Sequence, residues 1–177
     1  MQDGFKGVKV AKENQLEKTI IKAIIATASA VVAIFAILVL VFSFIFPSLM
    51  GKFCKNAGFY ELATGFYERA YERSEQVDDY SAFMNCAVFL ADKSEDYNKV
   101  ATIGEDVVKF KDALSEDDYC YFAVSVVRAK YALGDKVSTA QFAVEASYQD
   151  RTLPLDYAKM LAEKDDELKI ELDKVLN

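Results

Sequence analysis

An uncharged stretch of 24 residues, from Ala23 to Phe46, most constrains what this chain can fold into. It is bounded by Lys22 and Pro47 and reads AIIATASAVVAIFAILVLVFSFIF. At about 1.5 Å per residue, a helix of this length crosses the roughly 30 Å hydrocarbon core of a bilayer. A helix also satisfies its own backbone hydrogen bonds, which a lone segment in lipid requires. The stretch therefore predicts a transmembrane helix over residues 23–46.

Two other interpretations of this stretch fit less well. The apolar region of a cleaved signal peptide is about 7–15 residues long and ends in a small-x-small site. This stretch is longer and continues as Phe46-Pro47-Ser48-Leu49-Met50, which offers no such site. A buried helix of a soluble core seldom needs so long an uninterrupted apolar run. Pro47 predicts a break where the chain leaves the bilayer.

Charge is distributed unevenly on the two sides of the stretch. Residues 1–22 hold five lysines against three acidic side chains, whereas residues 51–177 hold 16 basic and 25 acidic side chains, a net of −9. An acidic domain repels phosphate backbones, which argues against nucleic-acid binding. By the positive-inside rule, the excess of nearby lysines predicts a cytoplasmic N-terminus and an extracytoplasmic domain. Four lysines precede the stretch and two follow it (Lys9, Lys12, Lys18, Lys22; Lys52, Lys55).

The sequence offers little for catalysis or metal binding. It contains no His, which is the commonest general base, and no Gly-rich phosphate loop. Cys54, Cys86 and Cys120 form no CxxC pair and are predicted to be small buried hydrophobes. Free thiols weakly favour a reducing compartment, and so the opposite topology. We predict no enzyme activity, no cofactor, no metal site and no small-molecule substrate.

Beyond Gly51, apolar residues recur with the 3.6-residue period of helices, and turn formers are few, with 7 Gly and 2 Pro in the chain. Acidic clusters between the periodic segments are predicted to cap helix N-termini. Four apolar stripes are predicted: Phe59, Leu62, Ala63, Phe66, Tyr67 and Ala70; Tyr80, Phe83, Met84, Ala87, Val88 and Ala91; Tyr97, Val100, Gly104, Val107 and Val108; Tyr119, Phe122, Ala123, Val126 and Val127.

Residues 58–63 read Gly-Phe-Tyr-Glu-Leu-Ala and are followed by Tyr67 and Ala70. This pattern resembles the second-helix signature of a tetratricopeptide repeat (TPR). Residues 96–100, with Gly104 and Val107, look like a second copy, and residues 133–136, with Ala143 and Ala146, look like a third. The joints Tyr60, Tyr97 and Lys136 are 37 and 39 residues apart, longer than the family's repeat of about 34. The resemblance implies stacked antiparallel helix pairs that bury a continuous core.

The predicted fold is therefore all-α, with one transmembrane helix followed by a TPR-like stack. We divide it into an N-terminal tail at 1–22, the transmembrane helix at 23–46, TPR-like repeats at 48–149 and C-terminal capping helices at 150–177. The first copy's leading helix would be the short stretch from Ser48 to Asn56. The capping helices begin near Pro154 and Asp165.

Two sets of residues are candidates for binding partners. In a TPR stack the first helix of each pair lines a groove. When the family's groove-lining positions are carried onto the second and third units of this chain, they select Ala82, Asn85, Phe89, Asp92, Tyr121, Val124, Arg128 and Tyr131. Alternatively, these residues pack on the C-terminal helices or on the neighbouring unit. Small residues four apart allow close helix packing in membranes, although chance spacing of alanines gives the same pattern. These are Ala26 with Ala30, and Ser29 with Ala33.

These features predict a membrane-anchored module that binds other proteins, such as a scaffold or assembly factor for a membrane complex. The layout resembles that of ancillary Sec translocon subunits, which carry an N-terminal anchor and an extracytoplasmic TPR domain. An alternative is an accessory subunit that packs into a transporter or channel through its transmembrane helix. A third, a receptor for targeting sequences, follows if the domain faces the cytosol.

Overall fold

The computed structural model describes residues 3–148 and 151–177, with side chains from Lys18 onward. It consists of two units, Met1–Phe46 and Pro47–Asn177. The first unit is helix α1, Asp3–Ile45. Its segment Lys18–Ile45 is the one helix in the described part of the chain that is long and apolar enough to cross a membrane.

The helix α1 begins earlier than the sequence predicts. Residues 3–22 of the predicted tail belong to it. This segment contains Gly4 and Gly7, yet a single Gly within a helix costs only about 1 kcal/mol relative to Ala. The other residues of this segment, such as Lys, Glu, Gln and Ala, are good helix formers. The end of α1 at Ile45 and the start of the next helix at Pro47 agree with the predicted break.

The described residues of the second unit form helices and contain no strand. Several of these helices have favourable residues at their N-termini. Pro154 lies in the first turn of α8. The side chains of Ser115, Asp135 and Asp165 each accept a hydrogen bond from a backbone amide in the first turn of the helix that follows. The helices are α2 Pro47–Asn56, α3 Tyr60–Ser74, α4 Val77–Ser94, α5 Asn98–Thr102, a 3₁₀ helix Ile103–Phe110, α6 Glu116–Ala132, α7 Lys136–Glu145, α8 Leu153–Ala162 and α9 Asp166–Leu176.

Consecutive helices pack on one another along the second unit. The helix α3 contacts both α2 and α4, and α5 with the 3₁₀ helix contacts α6. The helices α7, α8 and α9 contact one another, and α6 contacts α7 and α8. The predicted boundary between repeats and C-terminal helices, at residues 149 and 150, lies outside the described residues. The coarse prediction of an all-helical chain is confirmed for the described residues.

The predicted stripes of α4 and α6 are confirmed, since all their members are buried. The stripe of α3 is partly wrong. Ala63, Tyr67 and Ala70 are buried, but Phe59 and Leu62 are each 59% exposed. Phe59 precedes the helix, and the buried face of α3 is rotated away from Leu62, towards Thr64 and Tyr71, because α2 and α4 both contact this helix.

The cysteines are free thiols; Cys54 and Cys86 are buried, and Cys120 is half-buried. Burial raises the pKa of the Cys86 thiol. Burial also raises the pKa of the Cys120 thiol, and the nearby Glu116 carboxylate raises it further. Raised pKa values keep both thiols protonated at neutral pH, so they act as small apolar side chains. The predicted role of Cys86 as a buried hydrophobe is thus confirmed.

Candidate functional site

Helices α4 and α6 run in the same direction, which places most of the predicted groove on neighbouring helices. Near their N-termini, the rings of Tyr80 and Phe122 are 6.1 Å apart. Near their C-terminal ends, Asp92 forms an ion pair with Arg128. Because the N-terminal parts of the two helices lie together and their C-terminal parts lie together, the helices are parallel. The predicted residues on α4 and α6 therefore follow one another in register.

Phe89 forms part of an exposed aromatic cluster. It is 45% exposed, as its position off the stripe of α4 predicts. Its ring lies 4.3 Å from that of Tyr60, measured between centroids. Phe59 and Leu62 join them around a surface depression of about 290 Å³. Large apolar side chains grouped at a surface are typical of protein interaction sites.

The ion pair between Asp92 and Arg128 lies between the two helices. The Arg128 guanidinium also lies over the Tyr97 ring, 5.9 Å from its centroid. Its Nε is buried and has no hydrogen-bond partner within the described part of the chain. Both carboxylate and guanidinium remain partly exposed, with side-chain accessibilities of 49% and 38%. The pair is available to a polar group of a partner, as well as holding α4 beside α6.

The remaining residues of the predicted groove differ in exposure. Tyr121 is 50% exposed, and Asn85 is exposed, with its side-chain amide donating to the Ser81 carbonyl at 2.8 Å. Ala82 and Val124 are half-buried. Of these four, Tyr121 offers a partner the largest apolar surface.

Tyr131 does not belong with this surface. The Lys136 ammonium lies 3.6 Å from its ring centroid, and the same ammonium pairs with the Asp165 carboxylate at the start of α9. Tyr131 is half-buried and packs against the core. The contact with Lys136 places Tyr131 beside the start of α7, on the side of the C-terminal helices.

Asp165 joins the C-terminal helices to α7. Its carboxylate pairs with Lys136 at 2.7 Å and accepts from the Leu168 amide at 3.1 Å. The hydrogen bond from Lys136, followed by that from the Leu168 amide, lowers the pKa of this carboxyl to about 2. A depressed pKa adds stability above the unfolded value of 3.8, and that stability is lost as the pH falls towards about 2.

We expect Asp165→Asn to lower stability at neutral pH and to flatten its pH dependence between about pH 4 and 2. Asn retains the N-cap but cannot carry the charge that pairs with Lys136. Thermal unfolding of the full chain in detergent across this pH range measures the effect. Asp166→Asn, at an exposed neighbouring position, is the control. Equal pH slopes for Asp165→Asn and the parent chain would contradict the assignment.

Sequence reasoning missed Phe59, Tyr60 and Leu62 as surface partners of Phe89. It placed Phe59 and Leu62 in the core stripe of α3. A weak signal was present: Phe59 follows Gly58, which has a positive φ of 82° and ends the α2–α3 turn. A residue at such a turn precedes the helix and need not share its buried face.

The predicted membrane-packing residues all lie on α1. Ala26, Ser29, Ala30 and Ala33 are exposed along it, so this face is open to lipid or to another helix. Among the described residues, no group of three or more Cys, Asp or Glu side chains is placed to hold a metal ion.

Comparison with protein-family models, with curated proteins and with solved structures finds no match to this chain.

Proposed function

We propose that this protein is a membrane-anchored interaction module that serves as a scaffold or assembly factor for a membrane complex. One observation carries the proposal: Phe89 and Tyr121 are exposed on the parallel helices α4 and α6, which the Asp92–Arg128 pair links. Aromatic side chains beside an arginine are typical of the residues that dominate interface energies. The apolar stretch of residues 23–46, which lies in α1 up to Ile45, supplies the anchor.

The packing of the helices supports a TPR-like stack. Consecutive helices contact one another. In the repeat units that the resemblance implies, α4 and α6 are the first helices of successive pairs. Gly104 contributes the close approach that such stacks need, since a Cβ built on it would lie 2.5 Å from Val126. Because basic residues are scarce around the groove, the ligand that fits best is an apolar or amphipathic helix.

We expect Phe89→Ala and Tyr121→Ala each to weaken partner binding about tenfold, or about 1.4 kcal/mol, without changing stability appreciably. A photoreactive amino acid at Tyr121 would first identify the partner in intact membranes, and affinity would then be measured with the full chain in detergent. Met160→Ala is the matched control, because Met160 is 49% exposed on α8. Unchanged affinity in both aromatic variants would refute the groove.

A second candidate is an accessory subunit that packs into a transporter or channel through α1. The spacing of Ala26 with Ala30 and of Ser29 with Ala33 favours it, because small side chains four residues apart allow helices to approach closely in lipid. Replacing Ala23–Phe46 with an unrelated apolar helix separates the candidates. Retained partner binding supports the scaffold, whereas lost binding supports the accessory subunit.

The lysine asymmetry favours a cytoplasmic N-terminus and an extracytoplasmic second unit. A reporter fused after Asn177 tests this orientation. Activity only in the cytoplasm would reverse the orientation and favour a receptor for targeting sequences.

A further inference from the structure

The short helix α2 presents its bulky apolar side chains outward. Its buried residues are Pro47, Gly51 and Cys54, whereas Leu49 and Phe53 are 55% and 67% exposed. At about 100° per residue, these two sets lie on opposite sides of the helix. An amphipathic helix of a soluble domain normally turns its large apolar residues toward the core. The outward face of α2 is therefore adapted to an apolar environment outside the second unit.

The contact with α3 fixes this orientation. A Cβ built on Gly51 would lie 2.8 Å from ring carbons of Tyr67, so the glycine lets the Tyr67 ring lie directly against α2. Rotating α2 to bury Leu49 or Phe53 would push a large side chain into the space that Gly51 leaves. The exposed apolar face is thus built into the packing of the domain.

Chain connectivity places this face close to the end of the apolar helix. The helix α1 ends at Ile45, and α2 begins at Pro47. Within α2, Phe53 is only about 9 Å along the helix axis from Pro47. Whatever the angle between the two units, α2 lies within a short distance of the point where α1 ends.

The charge of this region matches an anionic lipid surface. Residues 47–60 contain two lysines, Lys52 and Lys55, and no acidic residue, whereas residues 61–177 hold 14 basic and 25 acidic side chains, a net of −11. Lys52 is exposed beside Leu49 and Phe53. Lysine side chains are attracted to the phosphates of an anionic lipid surface, whereas the acidic rest of the domain is repelled from it.

We infer that α2 is an interfacial helix that lies on the bilayer surface, with Leu49 and Phe53 among the acyl chains below the headgroups and Lys52 at the lipid phosphates. This inference rests on the proposed anchoring by α1. Burial of an apolar helix face at the headgroup boundary, with lysine reaching the phosphates, is how such helices bind membranes. The helix would set the tilt at which the groove of α4 and α6 faces its partner.

The chain contains no tryptophan, so single-tryptophan variants report on one position each. The full chain carrying Phe53→Trp is reconstituted in vesicles of phosphatidylcholine and phosphatidylglycerol that include brominated lipids, which quench only nearby tryptophan. Phe42→Trp, within α1, tests the anchor, and Phe89→Trp, exposed on α4, is the control outside the membrane. Far-ultraviolet circular dichroism of each variant verifies the fold.

We expect strong quenching for Phe42→Trp, clear quenching for Phe53→Trp and a negligible loss of fluorescence for Phe89→Trp. Adding Lys52→Glu to Phe53→Trp should reduce quenching, and an unchanged value would refute the phosphate contact. Quenching of Phe42→Trp without that of Phe53→Trp would overturn the interfacial helix and leave the anchor intact. If the tryptophan of Phe53→Trp were protected from acrylamide but not quenched by brominated lipid, the exposed face of α2 would contact protein rather than lipid, which would overturn the inference. Failure of Phe42→Trp to be quenched would remove the anchor itself.

Discussion

Ala63→Asp should destabilise the second unit by about 3–5 kcal/mol, because it buries a carboxylate without a partner in a packed core. Ala63 is fully buried on α3, between helices α2 and α4. Because Ala63 has no exposed surface, the larger side chain must also displace its packed neighbours. All ten tyrosines lie in residues 60–157. Urea unfolding of the full chain in detergent, followed by tyrosine fluorescence, therefore measures the second unit alone.

Leu62→Asp is the matched control, since it makes the same substitution type at the preceding residue. Leu62 is 59% exposed and lies in the first turn of α3, where a negative charge interacts favourably with the helix dipole. We expect a change below about 1 kcal/mol. Glu61→Ala, also at an exposed position, should change stability as little. Comparable losses in Ala63→Asp and Leu62→Asp would show that α3 is rotated from the orientation described.

The helical period predicted the buried stripes of α4 and α6 well. The stripe of α6, from Tyr119 to Val127, is buried throughout. The prediction for α3 failed at Leu62 because periodicity gives a broad apolar arc, and the contacts of two adjacent helices select which part of it is buried. That selection depends on residues distant in sequence, such as Tyr67 meeting Gly51.

For the candidate site, the sequence predicts which side chains lie off the buried face of their own helix. Phe89 lies off the stripe of α4, which sequence periodicity alone reveals. The partners of these residues were not predictable, because they come from other helices: Tyr60 of α3 for Phe89, and Lys136 of α7 for Tyr131. The periodicity of one helix carries no signal for contacts with another helix.

Gly104→Ala should destabilise the second unit by about 1–3 kcal/mol, although Ala is the better helix former. A Cβ at Gly104 would lie 2.5 Å from Cγ2 of Val126 and 3.3 Å from Cε of Met84. Met84 has a flexible side chain that can move, but Val126 is fully buried and stiff at χ1. The backbone would have to shift instead. Tyr80 donates a buried hydrogen bond to the Gly104 carbonyl at 2.7 Å, which such a shift would weaken.

Gly65→Ala provides a control of opposite sign. Nothing lies within 4 Å of a Cβ built at Gly65, in the middle of α3, so the alanine should stabilise the helix by about 0.5–1 kcal/mol. Urea unfolding of the full chain compares both variants with the parent. Stabilisation by both substitutions would mean that the 3₁₀ helix does not approach α6 as closely as described.

A double-mutant cycle separates the close approach of Gly104 and Val126 from any general disturbance of the 3₁₀ helix. Val126→Ala alone leaves a cavity and should cost about 1–3 kcal/mol. In the double variant, however, the methyl group that Gly104→Ala adds would enter the space that the valine methyls vacate. The loss should therefore be smaller than the sum of the two single losses, by about 1 kcal/mol or more. Additive losses would show that the glycine serves the backbone geometry of the 3₁₀ helix rather than its contact with α6.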